Sequence, residues 1–317
     1  MEEEVAKTGH RSLLFRVKRK ISHTLGSFIV TSYRTLRAQP FLMDTGNRKS
    51  RELYQKTVHT LSDVQGRAVE SLERDGIFIT STTELFGDDA RLEQIRETVT
   101  KEFAKAELGR NKKFLVYLWN NRPTFDVESP VVKLGLSPSI LEIGNAYLNL
   151  FVRFVFYSVN KTVVLKHDEE AAGSQRWHRD PPLGDERILK VFLYLTDVDE
   201  TSGPFMYVKG SHRSGRLGHF FRTKQPYGIY PDAGTVEAEP QLLKEIIACT
   251  GKAGTVVFCD TTGLHKGGFS TKKERDMVTL EYVSPASLQK PSWILPAGYH
   301  NHIKKLSLLE RQALGYV

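Results

Sequence analysis

Four side chains carry the chemistry open to this sequence. They are His178 and Asp180 in Gln175-Arg176-Trp177-His178-Arg179-Asp180, His265 in Gly263-Leu264-His265-Lys266-Gly267-Gly268, and Arg275 ten residues later. A histidine and an aspartate two residues apart on an extended strand project to the same face. A second histidine from a distant strand then closes one triangular face of an octahedral ion. Two imidazoles and one carboxylate in that arrangement are the ligand set of non-haem Fe(II) oxygenases, which keep the other positions open. Arginine is the side chain suited to the far carboxylate of a dicarboxylate co-substrate, because its planar fork offers two parallel charge-assisted hydrogen bonds at any working pH.

Each piece has a plainer reading. His178-Arg179-Asp180 alone is more often a strand-end histidine beside a carboxylate, and Arg275 alone is more often a solvated charge in Lys272-Lys273-Glu274-Arg275-Asp276. The combination shifts the balance. His265 follows the apolar strand Thr255-Val256-Val257-Phe258, and Arg275 opens the β-prone run Met277 to Val283.

With these motifs the chain resembles the phytanoyl-CoA dioxygenase family of Fe(II)/2-oxoglutarate-dependent oxygenases. The resemblance runs from Asp75-Gly76-Ile77 to Val283 and includes Phe192 to Val198, Ser202-Gly203-Pro204, Gly210-Ser211-His212 and Ala253-Gly254-Thr255. It implies iron held by His178, Asp180 and His265, 2-oxoglutarate held by Arg275, and O2 as the other co-substrate. It implies hydroxylation of an unactivated C–H bond in a small organic or lipid-like substrate, with release of succinate and CO2. Trp177, beside the first ligand, is either core or a wall of the co-substrate pocket. Gln175, Lys190, Tyr194 and Lys266 are further candidate pocket residues. Arg179 faces away from the metal by strand parity and is expected to pair with an acidic neighbour, and His212 reads as a structural turn residue.

The elements that must position these groups change character along the chain. Ser50 to Arg74 reads as one helix ended by Asp75-Gly76, Asp88 to Leu108 as a second and Pro138 to Leu150 as a third. From Phe151 onward β-prone runs dominate, separated by Pro- and Gly-bearing turns. The predicted class is α+β: a double-stranded β-helix, jelly-roll or cupin-like, with about eight strands in two sheets and flanking N-terminal helices. The division is a basic arm over 1–50, ending in the polar turn Asp44-Thr45-Gly46-Asn47, and one oxygenase domain over 51–317. That domain comprises a helical buttress (51–150), a jelly-roll (151–285) and a tail (286–317). The segment Ser214 to Gln241 is long enough to serve recognition or act as a lid. Lys244 to Cys249 reads as a helical turn and Leu306 to Leu314 as a helix.

Composition bounds the rest. Two cysteines, Cys249 and Cys259, are too few for a disulfide scaffold and wrongly spaced for a zinc ribbon. An acidic Met1-Glu2-Glu3-Glu4 and the lack of an apolar run of membrane-spanning length point to a cytoplasmic protein. The net charge of +8 is uneven: between Val5 and Met43 there is no acid, and eight cations against Glu2, Glu3 and Glu4 leave +5 in the first 43 residues. Leu14, Val17, Ile21, Leu25 and Phe28 fall at helical spacing in this arm. Its readings, in order, are packing on the catalytic domain, peripheral contact with an anionic membrane through residues 11–37, and, far behind, nucleic acid. The basic surface leans towards an anionic or acylated small-molecule substrate. The competing function is a non-catalytic metal-binding jelly-roll that acts as a sensor or membrane-surface adaptor.

Overall fold

The computed structural model describes residues 29–57, 59–105, 110–112, 114–119, 123–165 and 170–316. The amphipathic run from Leu14 to Phe28 lies outside them. Residues 29–37 are helical and lead into α1 (Pro40–Lys56), which crosses the boundary expected at residue 50. The polar stretch 44–47 is therefore helix and not a turn. Its turn-forming residues are there for close packing: a Cβ on Gly46 would meet the Cβ of Ala286 at 2.8 Å, and Asn47 Oδ1 accepts from the Ala286 amide at 2.9 Å.

The helix predicted over Ser50–Arg74 is two helices, α1 and α2 (Asp63–Asp75). Ser62 starts the second with a capping box. Its Oγ accepts from Gln65 N while its own amide donates to Gln65 Oε1. Gly76 ends the helix in the left-handed region at φ 74°, which a residue without Cβ enters freely. There follow β1 (Ile77–Ser81), α3 (Thr82–Phe86), α4 (Ala90–Lys105), β2 (Arg110–Lys112), β3 (Leu115–Tyr117), α5 (Pro130–Gly135) and α6 (Pro138–Leu148).

The remaining strands are β4 (Arg153–Thr162), β5 (Leu189–Tyr194), β6 (Phe205–Val208), β7 (Ile246–Cys249), β8 (Thr255–Asp260), β9 (His265–Gly267) and β10 (Arg275–Val283). They form two facing sheets, β1-β8-β5-β10-β4-β3-β2 and β7-β6-β9, with antiparallel pairing throughout. This is the expected α+β jelly-roll, recruiting β1, β2 and β3 from the helical half. Ile246–Cys249 is a strand rather than a helical turn, because its β-branched residues pair with Phe205–Val208. The C-terminal helix is shorter than predicted, Leu308–Leu314, preceded by a turn at His300–Ile303.

Strand parity divides the large sheet into two faces. Leu189, Val191 and Leu193 of β5, Val256 and Phe258 of β8, and Val278, Leu280 and Tyr282 of β10 face the helices, where they pack with Val64, Leu72, Leu92, Ile95 and Leu141. Burying each such aliphatic side chain contributes about 1.5–3 kcal/mol. The intervening residues face the small sheet: Phe192, Tyr194, Val257, Cys259 and Met277 pack against Phe205 and Tyr207. The register shift between Glu281 and Tyr282 against β4 lets Phe154 join the helix side while Phe156 stays on the inner side. Both cysteines are free and buried on that inner face. Among the described residues no helix is long and apolar enough to cross a membrane.

Candidate active site

Between the sheets lies a cavity of about 240 Å³ whose walls are period-2 rows of single strands. β4 contributes Phe156, Ser158, Asn160 and Thr162, β5 contributes Lys190 and Phe192, and β10 contributes Arg275, Met277 and Thr279. The rows are in register: Arg275 stands opposite Thr162, Met277 opposite Asn160 and Thr279 opposite Ser158.

His178, Asp180 and His265 meet at one end of this cavity, with ligand atoms all within 4.8 Å of one another. His178 follows the turn Gly173–Gln175, and His265 opens β9; a backbone bridge joins the two residues. His178 Nδ1 lies 2.9 Å from Arg176 O and His265 Nδ1 lies 3.0 Å from Gly263 O. A carbonyl only accepts, so each Nδ1 carries the proton and each Nε2 keeps a lone pair. Those Nε2 atoms lie 3.8 and 3.7 Å from the Asp180 carboxylate.

Electrostatics keep His265 and Asp180 in metal-binding form. Burial, and next the nearby His178, push His265 down to about 3, so it is neutral at physiological pH. Burial alone would raise Asp180, but the Lys190 ammonium and then the two imidazoles outweigh it and hold the carboxyl well below its usual range. Lys190 Nζ lies 2.7 Å from Asp180 Oδ2 and 3.6 Å from Glu281 Oε2. Burial works against the ammonium; Asp180 first and Glu281 second keep it charged beyond the ordinary lysine range.

Arg275 is buried at the other end of the rows. Its Nη1 donates to Gly203 O and its Nη2 to Thr162 Oγ1 at 3.2 Å, while Nε has no partner. No ion pair joins it to a carboxylate among the described residues, and burial lowers its pKa. Ser158 Oγ, Asn160 Oδ1 and Gln175 Nε2 are also buried on this cavity without partners. Buried polar groups are nearly always satisfied, so a cavity with several orphaned atoms and an uncompensated guanidinium is built for a polar, anionic occupant. The donor set therefore fits a small divalent ion, and the far end fits a carboxylate.

Other expected contacts fall elsewhere. Trp177 is not a wall of the cavity: strand parity turns it away from His178 into a cluster with Val208, Leu217, Val236, Leu242 and Leu264, where Nε1 donates to Glu237 at 2.6 Å. Lys266 lies over that indole and pairs with Glu237, and Tyr194 gives its hydroxyl proton to Cys249 O, so neither lines the cavity. Gln175 and Lys190 do line it. Arg179 faces away from His178 and Asp180 as parity requires, but among the described residues no ion pair joins it to an acid. It donates to the carbonyls of Ser211, Thr262 and Phe220, tying together three loops. His212 is fully buried, its ring against Gly76 and Gly215. Ser158, Asn160, Thr162 and Thr279 carry no sequence motif, although polar residues alternating along β4 are the signal for the first three. Tyr230, in the 214–241 segment, lies over the His178 ring with centroids 5.0 Å apart and planes 8° from parallel.

The phytanoyl-CoA dioxygenase family profile matches residues 149–277, a span that contains His178, Asp180, His265 and Arg275. Ectoine dioxygenase from Bordetella bronchiseptica is 31% identical over 221 residues, covering 62% of this chain and 68% of the relative. The ectoine dioxygenase of Sphingopyxis alaskensis is 31% identical over 128 residues, covering 37% and 41%. Among solved structures, the epimerase SnoN in complex with Fe3+, alpha ketoglutarate and nogalamycin RO superposes with a TM-score of 0.53 at 16% identity, over 72% of this chain and 87% of that one. EctD from S. alaskensis with bound Fe superposes with a TM-score of 0.50 at 18% identity, over 76% and 85%. By sequence and by this jelly-roll fold, the chain belongs to the phytanoyl-CoA dioxygenase family of iron- and 2-oxoglutarate-dependent oxygenases.

Proposed function

We propose that this oxygenase hydroxylates an unactivated C–H bond of a small organic substrate, consuming 2-oxoglutarate and O2 and releasing succinate and CO2. His178 Nε2, His265 Nε2 and the Asp180 carboxylate would hold Fe(II), and Arg275 would hold the far carboxylate of 2-oxoglutarate. The observation that carries the reading is the single cavity with three ion ligands at one end and an acid-free buried guanidinium at the other. When bound, iron supplies the oxygen chemistry, and the protein supplies position and exclusion of water.

The chain's own residues have definable tasks. The carbonyls of Arg176 and Gly263 fix the imidazole tautomers, so that no proton must leave the rings before an ion enters. Phe156, Phe192, Phe205 and Met277 give the cavity apolar walls that limit water around the reacting C–H bond. Tyr230, 50% exposed, covers one face of the His178 ring. We read residues 51–317 as one oxygenase domain behind a basic arm, with α1 running across the boundary and packing residues 46 and 47 on Ala286.

The test is succinate formation from 2-oxoglutarate under air with Fe(II), first alone and then with candidate substrates. Ectoine, named by the curated relatives, is the first to assay. Iron-dependent succinate that rises with an accepted substrate supports the reading; no succinate under any of these conditions contradicts it.

A further inference from the structure

Lys190 is an anomaly in its strand. β5 reads Leu189-Lys190-Val191-Phe192-Leu193-Tyr194, and the lysine is the one charge in this apolar run. Its side chain keeps only 20% exposure. An ammonium in such a place costs several kcal/mol unless it is well paired, and an apolar residue of similar size packs there at least as well. Stability therefore does not explain the lysine.

Its partners do. Glu281 of β10 stands directly opposite Lys190 in the register. Glu281 Oε2 lies 3.6 Å from the ammonium, and Oε1 accepts from Gln289 Nε2 at 2.9 Å. The chain of contacts runs from Gln289 through Glu281 to Lys190 and ends on Asp180 Oδ2 at 2.7 Å. Lys190 thus occupies one oxygen of the carboxylate. The other, Oδ1, lies 3.8 Å from His178 Nε2, while Oδ2 itself lies 3.7 Å from His265 Nε2.

We propose that Lys190 is a positioning residue that engages Asp180 Oδ2 and so keeps the aspartate a one-oxygen ligand, leaving the positions that the co-substrates need. This deepens the reading of the site as an iron and 2-oxoglutarate centre and rests on it. A free carboxylate can chelate an ion with both oxygens, which fills one more position. A donor fixed on one oxygen prevents that, and Glu281 with Gln289 fixes the donor.

The test compares Lys190→Met, which removes the donor, with Lys190→Gln, which keeps an N–H donor and loses the charge. Both are titrated anaerobically with Fe(II) and then 2-oxoglutarate beside the wild-type protein, with thermal midpoints recorded. In Lys190→Met we expect iron binding as tight as wild type or tighter, because a cation beside the ion is gone. The 2-oxoglutarate requirement should rise at least about 10-fold, with a shifted charge-transfer band, in line with the usual effect of losing an outer-shell partner. Lys190→Gln should recover most of the wild-type requirement. A wild-type requirement in Lys190→Met overturns the proposal. So does a Lys190→Gln variant as impaired as Lys190→Met, since charge alone then matters. If wild-type protein itself gives no band, the iron and 2-oxoglutarate reading fails instead, so the two failures are distinguishable. Should Lys190→Met not fold, Lys190→Gln and Gln289→Leu carry the comparison: Gln289→Leu, which frees Glu281, should raise the requirement more than Lys190→Gln does, and no rise overturns the proposal.

Discussion

His178 and His265, 87 positions apart in sequence, exchange both backbone hydrogen bonds of an antiparallel bridge: His178 N to His265 O at 2.9 Å and His265 N to His178 O at 3.0 Å. Directly opposed residues in such a pair project to the same side. Their ring centroids are consequently 4.1 Å apart. The two imidazoles converge because the backbone ladder brings them together, before any ion contributes.

On the proposed reading Asp180 is the third donor, so its removal should be felt by the ion and not by the scaffold. Asp180→Ala should abolish hydroxylation and weaken iron binding by more than about 100-fold, the upper range for losing a mere outer-shell partner. Iron content after gel filtration and product formation are the measurements. Full activity in this variant removes Asp180 from the ligand set.

Arg275→Met should separate iron from co-substrate. Truncating one member of a buried, hydrogen-bonded charge pair costs about 2–5 kcal/mol, which corresponds to at least a roughly 30-fold higher 2-oxoglutarate requirement. Iron binding should be unchanged, because Arg275 and the three ligands stand at opposite ends of the strand rows. An unchanged requirement for 2-oxoglutarate rules the residue out. Trp177→Phe is the contrasting variant: it loses the bond to Glu237, so about 1 kcal/mol of stability, and leaves the co-substrate requirement alone.

Arg179→Met should damage the fold rather than the chemistry. It strips the buried carbonyls of Ser211, Thr262 and Phe220 of a shared donor. Leaving a buried acceptor unsatisfied costs about 1–3 kcal/mol, so urea unfolding should show a loss of several kcal/mol. A wild-type midpoint would mean that water replaces the guanidinium.

Asp185 predicts a pH effect of definite sign. Burial pushes its carboxyl up to about 7 against an ordinary 3.8, with Ser284 and Ser287 opposing only in part. The folded protein then holds this proton where the unfolded chain has lost it. Its contribution is intact below the ordinary value and is lost as pH rises towards 7, at up to about 1.4 kcal/mol per pH unit. Asp185→Asn keeps the protonated shape without the charge. Its thermal midpoint should exceed that of wild type by a margin that grows from about pH 4 to 7 and then levels. A margin that shrinks over that window contradicts the assignment.

Much of this was legible in the sequence because strand parity is strict. His178 and Asp180 share a face, Arg179 takes the other, and the alternation in β10 separates Arg275, Met277 and Thr279 from Val278, Leu280 and Tyr282. The same parity turns Trp177 away from the cavity, and adjacency to a ligand is a poor guide against it. The partners of Arg179 were not legible, because loop carbonyls leave no mark in side-chain types. Gly46 and Asn47 look like a turn, but their small size and side-chain amide serve a helix packed on Ala286. The break between α1 and α2 had a local signal, Ser62 with Gln65 three residues on, inside the span expected to be one helix. Lys190 was a candidate pocket residue, but its pairing with Glu281 is visible only when β5 and β10 are laid side by side.

The most direct measurement is an anaerobic titration of the wild-type protein with Fe(II) and 2-oxoglutarate, followed by visible absorption. The account predicts a metal-to-ligand charge-transfer band that appears only when both are present, saturates at one iron per chain, and is lost in Asp180→Ala. Absence of that band with both components in excess, or its persistence without Asp180, would contradict it.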